Sequence, residues 1–109
     1  MEKRLTRDEA EALKRRVIER LTMPELPVTV LDSVPDFADE RHCISVTVKP
    51  FTHPFDPTDQ THYVEVRFCL AFCQRTIDVM TEVVRRLENQ FKLKMFFDER
   101  VHVVYGEQS

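Results

Sequence analysis

Glycine is almost absent from this chain, with one residue, Gly106, in 109. Loops that cradle phosphates need several positions without a Cβ, so nucleotide-binding loops of the Walker and dinucleotide types are excluded. The turns must rely instead on proline, aspartate, asparagine and serine. Tryptophan is absent as well, and no apolar run approaches the ~18 residues that a membrane-spanning helix needs.

The remaining composition is that of a soluble globular domain. Apolar residues make up 42% of the chain and charged residues 32%. The length suits one domain covering residues 1–109, and the charged N-terminus does not have the form of a secretory signal. Residues 22–61 hold seven acidic and two basic side chains, a balance of −5 within a net charge of −3. This acidic middle argues against binding of a phosphate backbone there.

The three cysteines cannot all pair within one chain, which favours reduced thiols. Cys69 and Cys73 do not have the spacing of a zinc ribbon, so we expect no metal and no cofactor, and we interpret Cys43, Cys69 and Cys73 as small buried side chains. Cys73 is the best candidate for a reactive thiol, because it precedes a predicted helix whose N-terminus would lower the pKa of the thiol.

Two amphipathic helices frame the predicted fold. Thr6 and Glu9 have the spacing of a capping box and start a helix near 6–22. A second helix is predicted near 74–91, with the apolar stripe Ile77, Met80, Val83, Val84, Leu87 and Phe91, and with Arg86 among the charged residues of the opposite face.

Alternating runs predict the strands, at 28–31, 42–49, 63–72, 93–97 and 101–105. In the last of these we expect His102 to face away from the core, between Val101 and Val103. The order α-β-β-β-α-β-β predicts an α+β fold, with a mostly antiparallel sheet of about five strands and both helices packed on one face.

A proline-rich connection at 50–61 is the most unusual segment. It contains Phe51 and Phe55, although turns seldom carry two phenylalanines. Exposed aromatic residues in long ordered loops often mark interfaces, so we expect partner docking through Phe51, His53, Phe55 and Asp56. The alternative is that both phenylalanines fold back over the protein's own sheet.

The last predicted hairpin offers a second candidate surface. Its alternation leaves Phe96 exposed beside Lys92 and Lys94. One aromatic residue with two lysines suits a contact between subunits, and it is a weak signal for RNA binding. No nucleophile, base and oxyanion donor occur in a catalytic pattern, so we expect no catalytic residues and no enzyme activity.

The organisation from Thr6 to Tyr105 resembles the tail-terminator, or tail-completion, proteins of long-tailed bacteriophages. The matching stretches are TRDEAEALKRRVIERL, THYVEVRFCLAFCQRTIDVMTEVVRRL and RVHVVYGE. The resemblance implies a small α+β subunit in a homo-oligomeric ring that caps the tail tube and joins it to the head. It further implies no catalytic residues, tail-tube and head-connector proteins as partners, and an acidic lumen through which duplex DNA passes without specific binding.

We therefore expect a non-enzymatic virion subunit that is assembled in the host cytoplasm and has no membrane partner. The alternative is a ferredoxin-like binding module that takes a small ligand, RNA or a regulatory protein on its sheet. A small enzyme dependent on a metal or on the Cys73 thiol is a third possibility.

Overall fold

The computed structural model describes residues 5–33, 43–53, 56–69, 74–95 and 100–107. Two helices and five strands follow one another in the predicted order, which confirms the α+β class. The elements are α1 (Arg7–Thr22), β1 (Thr29–Leu31), β2 (Cys43–His53), β3 (Asp56–Cys69), α2 (Gln74–Glu88), β4 (Phe91–Met95) and β5 (Val101–Glu107).

The strands form one mixed sheet in the order β1-β2-β3-β5-β4. Only the short β1 runs parallel to its neighbour β2, and the other pairs are antiparallel. Both hairpins, β2–β3 and β4–β5, join strands that are consecutive in the chain. The short connections between these strands permit antiparallel pairing, whereas a parallel pair requires a longer crossover.

Helix α1 begins with the predicted capping box. The Glu9 amide donates to the Thr6 Oγ1 at 3.2 Å, and the Thr6 amide donates to the Glu9 Oε1 at 3.1 Å. These two bonds satisfy amides that have no partner within the helix. The buried stripe of α1 is also as predicted, and it consists of Ala10, Leu13, Val17 and Leu21.

Helix α2 buries part of the predicted stripe, since Val83 and Leu87 are fully buried, but its buried face is displaced from the rest of that stripe. Ile77, from the predicted stripe, is 42% exposed, whereas Arg86, predicted to face solvent, is 4% exposed. The helix ends at Glu88, so Phe91 is a buried residue of β4. The residues that α2 buries are Thr76, Val79, Val83, Arg86 and Leu87.

Buried contacts of Arg86 account for this rotation. Its Nη1 donates to the Leu21 carbonyl at 3.1 Å and to the Pro24 carbonyl at 2.7 Å, and its Nε donates to the Glu82 Oε1 at 2.9 Å. The Leu21 carbonyl lies in the last turn of α1, where carbonyls have no helical partner. Arg86 therefore connects the end of α1 to α2.

Among the described residues, one hydrophobic cluster fills the space between the helices and the sheet. Its largest fully buried side chains include Phe91, Leu21, Ile44 and Leu87. Strand β2 is buried on both faces at its start, because Cys43 and Ser45 on the face away from the helices are each only 3% exposed. The alternation of residues 42–49 is typical of a half-buried strand, and this part of β2 does not follow it.

His102 faces the core, contrary to the prediction. It pairs with Val66 across β3 and β5, and directly paired residues lie on the same face of a sheet. Its ring meets the ring of Phe68 edge to face, with centroids 5.6 Å apart. The alternation of β5 is compatible with either face, and the pairing with β3 selects the one that buries His102 at 7% exposure.

Candidate functional site

Most of the predicted 50–61 connection is a β-hairpin. Strand β2 continues to His53 and β3 begins at Asp56, so the prediction of a loop is wrong. The two strands pair from Cys43 with Cys69 to His53 with Asp56, and the register shifts between Phe51 and His53. Pro50 is tolerated because, among the described residues, β2 has a neighbour on one side only beyond Ser45, and edge strands accept proline.

We call residues 49–53 and 56–63 the hairpin arm. Among the described residues, β1 pairs with β2 only at residues 43–45, and β5 pairs with β3 only at residues 64–67, so neither strand pairs with the arm. At the base of the arm, the His62 amide donates to the Leu5 carbonyl at 3.0 Å. At about 3.3 Å per residue, the five residues of β2 in the arm extend about 16 Å beyond the five-stranded region.

The face of the arm that points away from the helices carries two aromatic residues. Phe51, which pairs with Thr61, is 39% exposed. Tyr63 pairs with Lys49, two residues before Phe51 on the same face of β2. Phe51 and Tyr63 are therefore diagonal neighbours, a spacing of roughly 7–8 Å that aromatic side chains can bridge.

Tyr63 is half-buried, and its surroundings favour the neutral phenol. Burial raises its pKa above the usual 10.0, the negative charge of Glu65 raises it further, and Arg67 opposes both effects. A tyrosine beside an exposed phenylalanine suits a protein contact, because aromatic side chains are enriched at interfaces. The sequence did not indicate Tyr63, because only the register of the hairpin brings it beside Phe51.

Two of the other three predicted docking residues lie at the end of the arm. His53 and Asp56 are paired there, as the last residue of β2 and the first residue of β3. Phe55 lies outside the described residues. Much of the acidic middle segment, including residues 34–42, also lies outside them.

Strand β4 forms the opposite edge of the sheet and carries the second candidate surface. Lys92 and Lys94 are both exposed, but they do not share a face as predicted, because the register shifts between Lys92 and Leu93. Lys94 pairs with Val103 on the face away from the helices, whereas Lys92 pairs with Gly106 and lines a groove beside α1. Phe96 lies outside the described residues. Lysines on an edge strand also discourage unwanted pairing with other sheets, so their exposure has a structural explanation as well as a functional one.

A groove that the sequence did not indicate lies between α1 and the last hairpin. Its volume is about 320 Å³, and its rim holds an ion pair in which the Arg16 Nη1 lies 2.6 Å from the Glu107 Oε1. The lining is completed by Leu5, Glu9, Ala12, Leu13, Lys92, Tyr105 and Gly106. The groove is mixed in character, with an apolar floor from Leu5, Ala12 and Leu13 and charged groups around it.

Within the described ranges, no cluster of three or more His, Cys, Asp or Glu side chains is arranged to hold a metal ion. Neither of the helices α1 and α2 is long and apolar enough to cross a bilayer. Cys73, the candidate reactive thiol, lies outside the described residues. Comparison with known proteins found no matching family model, no matching curated protein and no matching solved structure.

Proposed function

We propose that this protein is a non-enzymatic assembly subunit that forms a homo-oligomeric ring in a virion, as phage tail-terminator proteins do. The observation that supports this proposal is the hairpin arm, which places an exposed Phe51 beside Tyr63 beyond the five-stranded part of the sheet. The tail-tube and head-connector proteins would be the partners of the ring, and duplex DNA would pass through it without specific binding.

The arm is suited to packing against another subunit. A two-stranded hairpin alone is marginally stable in water, so an arm with aromatic residues gains stability when a second surface covers it. Burying Phe51 would remove apolar area from water at about 25 cal/mol per Å². Its exposure on an ordered strand is consistent with a surface that becomes buried upon assembly.

The two candidate surfaces lie towards opposite edges of the sheet. The strand order places β2 of the arm near one edge and β4, with Lys92 and Lys94, at the other. A contact between two different surfaces repeats from copy to copy, and it closes into a ring when the rotation allows. We therefore expect the arm of one subunit to contact the β4 side of the next.

Native mass spectrometry and negative-stain imaging over a wide concentration range test this proposal. We expect ring-sized species for the wild type and their loss in the double variant Phe51→Ser with Phe55→Ser, at nearly unchanged Tm. Ile77→Ser is the matched control, because Ile77 on α2 is similarly exposed at 42% but lies outside the arm. This control should assemble normally.

Two results would contradict the proposal. The first is a protein that stays monomeric at all concentrations and does not bind isolated tail tubes. The tubes are included because subunits of such rings can be monomeric before assembly. The second is a large loss of Tm in the double variant, which would show that the phenylalanines pack on their own core.

A binding module is the second candidate, and the groove between α1 and β5 favours it. Its volume of about 320 Å³ is at the lower end of the range for small-molecule sites. If the protein instead binds nucleic acid along β4, binding should weaken steeply with salt and be lost on Lys92→Ala with Lys94→Ala. Affinity that does not change with salt or with these substitutions would exclude nucleic acid as the ligand.

A further inference from the structure

Cys43 and Cys69 lie directly opposite each other at one end of the β2–β3 hairpin. Cys43 is the first residue of β2, Cys69 is the last residue of β3, and the two are paired across the antiparallel strands. The pairing is regular from this position to Phe51 with Thr61, so the register fixes the two cysteines as partners. Neither thiol belongs to a disulfide in the structure.

The strand geometry allows a bond between the two sulfur atoms. Directly paired residues in antiparallel strands have Cα atoms about 4.5 or about 5.5 Å apart, depending on the hydrogen-bonding of the pair. Disulfides join residues whose Cα atoms are about 4.4–6.8 Å apart. Both side chains also point to the same face of the sheet, because directly paired residues share a face. The register of the strands therefore permits the bond.

The two thiols differ in their access to solvent. Cys43 is 3% exposed, whereas Cys69 is half-buried. A small reagent can therefore reach Cys69 but not Cys43. This arrangement gives each thiol a separate role, with Cys69 reacting first and Cys43 reacting second from within the protein.

We propose that Cys43 and Cys69 form a redox-active dithiol that closes into a cross-strand disulfide by exchange with a low-molecular-weight disulfide. In the first step the Cys69 thiolate attacks one sulfur of the small disulfide, which forms a mixed disulfide and releases one small thiol. In the second step the Cys43 thiolate attacks the Cys69 sulfur and releases the other small thiol. The protein loses two protons and two electrons, and the small disulfide is reduced to two thiols.

The bond would fasten the end of the hairpin that is farthest from the tip of the arm. It would close a loop that contains nearly all of β2 and β3, and so it would restrict the unfolded chain more than the folded one. For a loop of this length we expect Tm to rise by roughly 15 °C on oxidation. This effect does not depend on assembly, so the inference can be correct whether or not the protein forms a ring.

The experiment uses glutathione disulfide as the probe on the full chain. After incubation and alkylation, intact mass and peptide mapping should show a Cys43–Cys69 link and a higher Tm, and dithiothreitol should reverse both. The variant Cys73→Ser should give the same link, because it retains both members of the pair. In the Cys73→Ser background, the further substitution Cys43→Ser should leave a mixed disulfide between Cys69 and glutathione. The further substitution Cys69→Ser should leave only Cys43, which should react very slowly with glutathione disulfide.

Two outcomes would overturn the proposal. One is that Cys73→Ser keeps two alkylatable thiols after incubation with glutathione disulfide. The other is that the wild type links Cys69 to Cys73 and leaves Cys43 reduced. Circular dichroism of the reduced variants shows whether each is folded, and the mapping of the wild type decides the question if a variant does not fold.

Discussion

Arg86 provides the sharpest test of how this fold is held together. Its buried guanidinium donates to the carbonyls of Leu21 and Pro24 and to the Glu82 carboxylate. Arg86→Ala removes all three bonds. Glu82 retains its two bonds from Arg85, at 2.7 and 3.0 Å, so the substitution does not leave a carboxylate without a partner.

The cost therefore falls on the two carbonyls and on the packing of the side-chain stem. An unsatisfied buried acceptor costs about 1–3 kcal/mol, and the Leu21 carbonyl is the more deeply buried of the two. We expect Arg86→Ala to lower the free energy of unfolding by about 3 kcal/mol. For a chain of this size that corresponds to a fall in Tm of about 12 °C.

Urea unfolding followed by circular dichroism measures this loss. Arg86→Lys should be intermediate, because one ammonium group cannot reproduce the planar fork that reaches Glu82 and both carbonyls. Arg85→Ala is the matched control, since Arg85 binds the same carboxylate but its side chain is 61% exposed, and its urea midpoint should hardly change. Equal midpoints for Arg86→Ala and Arg85→Ala at an unchanged m-value would refute the reasoning.

Two further predictions concern pH and the single glycine. Hydrogen bonds from Arg85 and then Arg86 lower the pKa of Glu82 from 4.5 to about 2, so the native state binds fewer protons than the unfolded state in this range. The wild type should be more stable than Glu82→Gln above pH 4.5, and this difference should diminish as the pH falls towards about 2 and disappear below it. Urea unfolding at several pH values measures the difference, and a difference in urea midpoint that is constant with pH would contradict the prediction. Gly106→Ala should raise the free energy of unfolding by about 0.4–1 kcal/mol, because alanine restricts the unfolded chain more than glycine does. The folded state can accept the change, since Gly106 does not have a positive φ and an added Cβ would lie 3.7 Å from the Lys92 Cδ, an ordinary contact. A lower Tm for this variant would show that the site needs glycine.

Local signals in the sequence were sufficient to predict α1 and the order of the elements. The Thr6 and Glu9 cap and the buried stripe of α1 depend on residues three or four positions apart. The buried face of α2 depends instead on Arg86 meeting carbonyls of Leu21 and Pro24, which are more than sixty positions away. Hydrophobic periodicity contains no information about such a contact.

The candidate site shows the same division between local and distant information. Sequence composition indicated Phe51 as unusual, but prolines in the 50–61 segment predicted a loop where the structure has a hairpin. The importance of Tyr63 depends on its register with Lys49, and the pairing of Cys43 with Cys69 depends on the same register. Side-chain alternation predicts which residues share a face of one strand, whereas it does not predict their partners on the next strand.

The long β2–β3 hairpin has a consequence for how the chain folds. Its strands are consecutive, so their pairing can grow outward from the His53–Asp56 pair, and each new pair closes only a slightly longer loop. The pairing of β3 with β5 must instead wait for α2 and β4, and such distant pairing slows folding. We therefore expect the hairpin to be ordered in the folding transition state, with β5 and the edge strand β4 joining the sheet later.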